Sequence, residues 1–137
     1  GLAGARLGYA IAHPEMASRL GELQPWPDVS VSQVTAAAAS ASLKDQAFVA
    51  SCLEKNARAR EMLYGTLRTL NLEYIPSSTN FLLFNIDALK KDLSVEMEKQ
   101  GIMVQYRNHF GGKWCRVSMG TLEETQRFCE ALRGIAS

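Results

Sequence analysis

The chain has 137 residues, 47% of them hydrophobic, enough for the core of one domain or of one and a half. Its formal net charge is +1, and no cluster of Lys and Arg interleaved with aromatics offers a nucleic-acid face. No apolar run approaches the roughly 20 residues that span a bilayer, and no charged-then-apolar leader opens the chain, so a cytoplasmic location without membrane contact is the expectation.

The opening GLAGARLGYA is a glycine-flanked loop that runs into RLGYAIA, which reads as a short strand. A chain that begins inside such a loop is expected to be a fragment or a domain cut. HPEMASRLGEL follows as a helix, with Pro14 suited to its first turn and Met16, Leu20 and Leu23 on one side, until QPWPD breaks it. From Ser32 to about Asn71 almost nothing interrupts helical spacing except SLKD, so this region is one long helix or two consecutive ones. Its first part, TAAAASASL, is small enough to let another backbone approach. Its later stripe of Phe48, Val49, Cys52, Leu53, Met62, Leu63, Leu67 and Leu70 is expected to cover a core and to bridge two packing units.

After Asn71 short strands and helices alternate. LEYI and NFLLFNI read as strands around the turn PSST, because Pro76 is excluded from a strand centre. ALKKDLSVEMEKQ reads as a helix stopped by Gly101, IMVQY as a strand, RNHFGGK as a loop and WCRVSMG as a strand. TLEETQRFCEALRGI closes the chain as a helix with a near-capping-box start at Thr121 and an apolar stripe of Leu122, Phe128, Cys129 and Leu132. The sum is an α/β chain: the tail of a larger α/β domain followed by a small α+β module. Cys52, Cys115 and Cys129 are odd in number and form no C-x-x-C pair. They read as reduced, mostly buried thiols rather than a disulfide framework or a zinc site.

Two arginines placed in strands carry the candidate chemistry. In WCRVSMG the two-residue alternation puts Cys115, Val117 and Met119 on one face and Trp114, Arg116 and Ser118 on the other. Such an arginine is either a solvated strand residue or a forked receptor that holds a carboxylate through two charge-assisted hydrogen bonds. In RLGYAIA the same count groups Arg6 with Gly8, Ala10 and Ala12, whose small side chains leave room for a bulky anion such as a phosphate. None of Lys44, Lys55, Lys90, Lys91, Lys99 and Lys113 sits in a stretch apolar enough to desolvate a reactive amine.

GLAGARLGYAIAHPE resembles the segment that follows the cofactor lysine in fold-type I pyridoxal-phosphate aminotransferases, the histidinol-phosphate aminotransferase branch above all. SSTNFLLFNI, GIMVQYR and WCRVSMGTLEETQRF resemble successive parts of the same family's C-terminal domain. The resemblance implies that Arg6 pairs with the phosphate of pyridoxal 5'-phosphate and that Arg116 binds the α-carboxylate of an amino-acid substrate. It also implies that the Schiff-base lysine lies before Gly1. Asn80 stands where the family has Asn before an aromatic strand, either reaching the active-site edge or satisfying local backbone. Arg107 and His109 could meet a distal anion from a mobile loop, although the family's second arginine falls nearer Gln105.

The implied organisation is residues 1–30 as the end of the cofactor domain, 31–71 as an interdomain helical segment and 72–137 as the small domain. The implied activity is transamination between a histidinol-phosphate-like or aromatic amino acid and 2-oxoglutarate, in a homodimer acting in amino-acid biosynthesis. Two alternatives stand beside it: a threonine-phosphate-decarboxylase-like enzyme, and a non-catalytic α+β binding or dimerisation module. Tyr9 and Trp26 read as core aromatics and His13 as the residue leading into a helix.

Overall fold

The computed structural model describes residues 2–24 and 31–136. The chain divides into two compact units, residues 1–49 and 50–137.

In the first unit, Ala3–Ala5 form one 3-10 turn flanked by left-handed residues, Leu2 at φ 67° and Arg6 at φ 54°. Residues 7–12 belong to no strand, contrary to the expectation for RLGYAIA. A strand needs a ladder partner, and no described segment pairs with this one, so Tyr9 is 72% exposed and Ile11 90% exposed instead of lining a core. Helix α1, Pro14–Glu22, starts as expected with Pro14 in its first turn and His13 just before it. Helix α2, Gln33–Lys44, is capped by Ser32, whose hydroxyl accepts from the Thr35 amide at 3.1 Å. Trp26 and most of the QPWPD break lie outside the described residues.

Helix α3, Gln46–Thr69, begins one residue after the expected interruption. Asp45 leaves helical geometry at ψ 70°, and its carboxylate accepts from the Phe48 amide at 3.0 Å, so one residue ends α2 and caps α3. The α3 stripe then splits: Phe48, Val49, Cys52 and Leu53 are exposed, whereas Leu63 and Leu67 are wholly buried. Past its last residue the chain turns off at Asn71, which is left-handed at φ 53°, with the Leu72 amide returning to the Leu67 carbonyl at 2.9 Å.

The second unit is a two-layer α+β module, as the strand and helix alternation implied. Strands β1 (Tyr74–Ile75), β2 (Phe81–Asn85), β3 (Gln105–His109) and β4 (Gly112–Ser118) form one antiparallel sheet in the order β1-β2-β4-β3. Leu82 and Phe84 of β2 and Cys115 of β4 point to the same side and join a core with Leu63 and Leu67 of α3, Leu93 and Met97 of α4 (Leu93–Glu98), and Phe128, Cys129 and Leu132 of α5 (Leu122–Ala136). Phe84 and Phe128 meet edge to face, ring centroids 6.3 Å apart. Burial pushes the Cys115 thiol up to about 12. Burial also raises Cys129, against a hydrogen bond from Thr66 and the charge of Arg133. Cys52 is exposed, so two of the three thiols are buried.

Three boundaries differ from expectation. Helix α4 starts only at Leu93, because the Asp92 carboxylate caps the Val95 amide at 3.1 Å and the residues before it turn. Strand β3 starts at Gln105 rather than Ile102, and extends through the segment read as a loop to His109. Only Phe110 and Gly111, both at positive φ, remain as the hairpin turn. All five β3 residues are exposed, the pattern of a polar edge strand that composition alone reads as loop. Helix α5 opens with a full capping box: the Glu124 amide donates to Thr121 Oγ1 at 3.1 Å, and the Thr121 amide to Glu124 Oε2 at 2.8 Å.

Candidate functional site

The sheet of the second unit has one face on the core and one open face, and registry decides what stands on each. Leu83 of β2, Arg116 of β4 and Gln105 of β3 are paired in one cross-strand row. Asn85, Trp114 and Arg107 form the next row, and Phe81 pairs with Ser118 on the other side. Opposed residues share a face, so Arg116, Arg107, Gln105, Phe81 and Ser118 all stand on the face away from the core. The alternation read from WCRVSMG is therefore the observed one, with Cys115 buried, Val117 half-buried and Arg116 exposed. Trp114 departs from it: although on the open face it is 5% exposed, covered in part by Phe110 edge-on at 5.7 Å between centroids.

The Arg116 guanidinium lies over the Phe81 ring, Cζ 4.1 Å from the centroid. Among the described residues it enters no ion pair, which leaves its forked donors open to an external anion. A cleft of about 570 Å³ adjoins it; its lining takes in Gln105, Arg116 and Ser118 from the open face but also Val117, Leu63 and Phe128 from the helix side of the sheet. A wall of this cleft is fixed by the helix stop at Gly101, left-handed at φ 71°, where Arg127 of α5 donates to the Gln100 carbonyl at 2.6 Å.

Arg107 is not on a loop. It occupies the centre of β3 opposite Trp114, a diagonal neighbour of Arg116 on the same face. The correction has a physical cause, since pairing with β4 extends a stretch whose polar composition carries no strand signal of its own. Gln105 is the residue directly opposite Arg116. Asn80 immediately precedes β2, is exposed, and its carbonyl accepts from the Met119 amide at 2.8 Å. It does the backbone work of a residue leading into a strand, and its side chain has no hydrogen bond among the described residues. Phe81 was not singled out by sequence. The signal available was an aromatic at the start of β2 two residues from the register position opposite Arg116.

Arg6 belongs to the first unit. It is exposed, not in a strand, and sits in the left-handed region after the 3-10 turn, where its Nη1 reaches the Ala3 carbonyl at 3.4 Å. That contact is at the long limit for a hydrogen bond, so the guanidinium retains donor capacity for an anion. No side chain crowds Gly4 or Gly8 on either side of it. A phosphate fits this position chemically. All six lysines are exposed, so none has the desolvated setting that a Schiff-base amine requires. Among the described residues no group of three or more His, Cys, Asp and Glu could hold a metal ion, and no helix is long and apolar enough to cross a membrane.

Comparison with known proteins gives this geometry its context. Histidinol-phosphate aminotransferase 1 of Dechloromonas aromatica (strain RCB) is 40% identical over 135 residues, covering 96% of this chain and 36% of the relative. A crystal structure of a protein from Erwinia carotovora atroseptica SCRI1043 matches with a TM-score of 0.85 and 31% identity, over 97% of this chain and 38% of that one. The histidinol-phosphate aminotransferase of Sinorhizobium meliloti, solved in complex with pyridoxal-5'-phosphate, matches with a TM-score of 0.79 and 26% identity, over 99% of this chain and 38% of that one. The chain thus spans little more than a third of the relatives it matches. The family model for aminotransferase class I and II matches residues 1–132, and the chain belongs to that family.

Proposed function

We propose that this chain is the C-terminal third of a pyridoxal-phosphate-dependent aminotransferase that moves an amino group between a histidinol-phosphate-like or aromatic amino acid and 2-oxoglutarate. The observation that carries the reading is Arg116: a cation with no ion pair among the described residues, on the open face of a rigid sheet, stacked on Phe81 beside a cleft. When bound, pyridoxal phosphate supplies an electron sink for bond breaking at the substrate α-carbon. Arg6 contributes a charge-assisted hold on its phosphate. In a substrate that carries an α-carboxylate, an aromatic amino acid or the glutamate formed from 2-oxoglutarate, Arg116 grips it in two parallel hydrogen bonds and so fixes which α-carbon bond stands ready to break. Held in that way, the substrate presents its α-proton for removal and keeps its carboxylate. Arg107, on the same face as Arg116, reaches the distal end of the substrate, and Asn80 borders the site at the start of β2.

The Schiff-base lysine is assigned to a segment preceding Gly1, which makes this piece inactive by itself. In the same reading residues 1–30 complete the cofactor domain, 31–71 connect, and 72–137 form the small domain of a cytoplasmic homodimer. The test is to join this sequence to the upstream length that its relatives carry, add pyridoxal phosphate, and record the absorbance spectrum before and after borohydride. The expected result is a trapped chromophore on the long chain and none on the 137-residue piece. Arg6→Ala should weaken cofactor binding on the order of tenfold or more. No chromophore on the long chain overturns the proposal in favour of a non-catalytic module.

A further inference from the structure

A carboxylate receptor on an exposed strand works only if its guanidinium is held in one orientation, because a free arginine samples many rotamers and loses that freedom on binding. The core does not hold Arg116, since it stands on the open face. Its restraint is the Phe81 ring at 4.1 Å, and Phe81 is itself outside the hydrophobic core. The Phe81 backbone is held from two sides, by its pairing with Ser118 of β4 and by the loop before it. Ser77 Oγ donates to the Phe81 carbonyl at 2.6 Å and Thr79 Oγ1 donates to the same oxygen at 3.1 Å. The Phe81 amide in turn donates to Thr79 Oγ1 at 3.3 Å.

That loop is fastened to α3. Arg60 Nη1 donates to the Thr79 carbonyl at 3.1 Å, and Asn56 Nδ2 donates to the same oxygen at 3.2 Å. The Ser77 amide donates to the Tyr64 hydroxyl at 2.7 Å, and Tyr64 is buried and stacked on Tyr74 with centroids 4.7 Å apart. Asn56, Arg60 and Tyr64 are spaced four residues apart, so a single helix face presents all three to one short loop. The half-buried Arg60 spends its charge on a neutral carbonyl rather than on a carboxylate.

We propose that Asn56, Arg60 and Tyr64 of α3, acting through the 77–79 loop and the Phe81 ring, are positioning residues that fix the Arg116 guanidinium for the carboxylate it receives. The proposal rests on the carboxylate-binding reading of Arg116. The relay runs from helix to loop to ring to guanidinium, and each step is a contact given above.

The test uses the long, cofactor-loaded chain and L-glutamate as the ligand, with 4-aminobutyrate, which lacks the α-carboxylate, as its control. Phe81→Leu should raise the Kd for L-glutamate about tenfold, the size of one cation–π contact, and leave that for 4-aminobutyrate unchanged. Arg60→Met should raise it severalfold, with Arg60→Lys restoring part of the loss and Phe81→Tyr keeping wild-type affinity. The Arg116 Nε–Hε resonance, shifted by the aromatic ring in the wild type, should move in both Phe81→Leu and Arg60→Met. Arg116→Lys is the reference. If it weakens L-glutamate while Phe81→Leu and Arg60→Met do not, and the Arg116 resonance stays in place, the relay is overturned and the carboxylate reading stands. If Arg116→Lys itself leaves L-glutamate binding unchanged, the carboxylate reading fails and the proposal falls with it.

Discussion

The two units of the chain are built by different rules. Every buried core residue among those described lies between Ala59 and Ile135, in the unit of residues 50–137. The helices α1 and α2 of the other unit bury no residue, and they expose Met16, Leu20 and Val34. Local signals suffice to set the ends of these helices: Pro14 in a first turn, Ser32 as a cap and Asp45 as a break. Among the described residues, their apolar side chains stay largely exposed. In the second unit caps and burial act together, and there the candidate site gains a rigid base. The contrast teaches that helix formation and a functional surface are separable, since only elements backed by a core can hold a side chain such as Arg116 in register.

Thiol labelling offers the widest numerical test of that contrast. Exposed Cys52 should react with a disulfide reagent in the native chain, whereas Cys115 and Cys129 should react orders of magnitude more slowly, through opening of the core, because their thiols are buried and raised. Equal rates for all three would mean that the core is not closed. Next in size is Phe84→Ala, expected to cost the second unit about 3–5 kcal/mol in denaturant unfolding, while Leu20→Ala in α1 should stay within about 0.5 kcal/mol. Similar losses at both positions would erase the distinction between the units.

Thr121→Ala removes the capping box of α5 and should cost about 1 kcal/mol of global stability by thermal melting. Ser32→Ala should instead reduce only local helicity in α2. The smallest effect concerns Asp87, whose carboxyl is held below the usual range first by the Lys113 amide and then by the Asn85 side chain. A lowered folded-state pKa means that its stabilising contribution is complete above a pH of about 4 and is lost as pH falls through the lower, folded value. Asp87→Asn should therefore flatten a shallow acid-side decline in stability. An unchanged acid limb would remove Asp87 from the account. A Cβ on Gly112 would overlap the Asp87 carboxylate, so Gly112→Ala should disturb the same hairpin.

What could be read from sequence followed the range of the forces involved. The SLKD break, the Gly101 stop and the Thr121 box depend on neighbours within four residues, and all were legible. The face of Arg116 was legible because strand alternation needs only the strand. RLGYAIA failed because a strand is a property of two segments, and a β-like composition does not supply the second. Arg107 failed in the opposite sense, its polar stretch becoming a strand because β4 lies beside it. The link from Arg60 to Phe81 was invisible, since residues 60 and 79 meet only once α3 has packed along the loop. The candidate site was thus half legible: the cation and its face could be read, its restraints could not.

The most direct measurement is the affinity of L-glutamate and of 4-aminobutyrate for the cofactor-loaded long chain, in the wild type and in Arg116→Gln. Loss of a bidentate charge-assisted pair should weaken L-glutamate on the order of 100-fold and leave 4-aminobutyrate and the cofactor spectrum unchanged. Equal affinity of both proteins for L-glutamate would contradict the assignment of Arg116 as the carboxylate receptor.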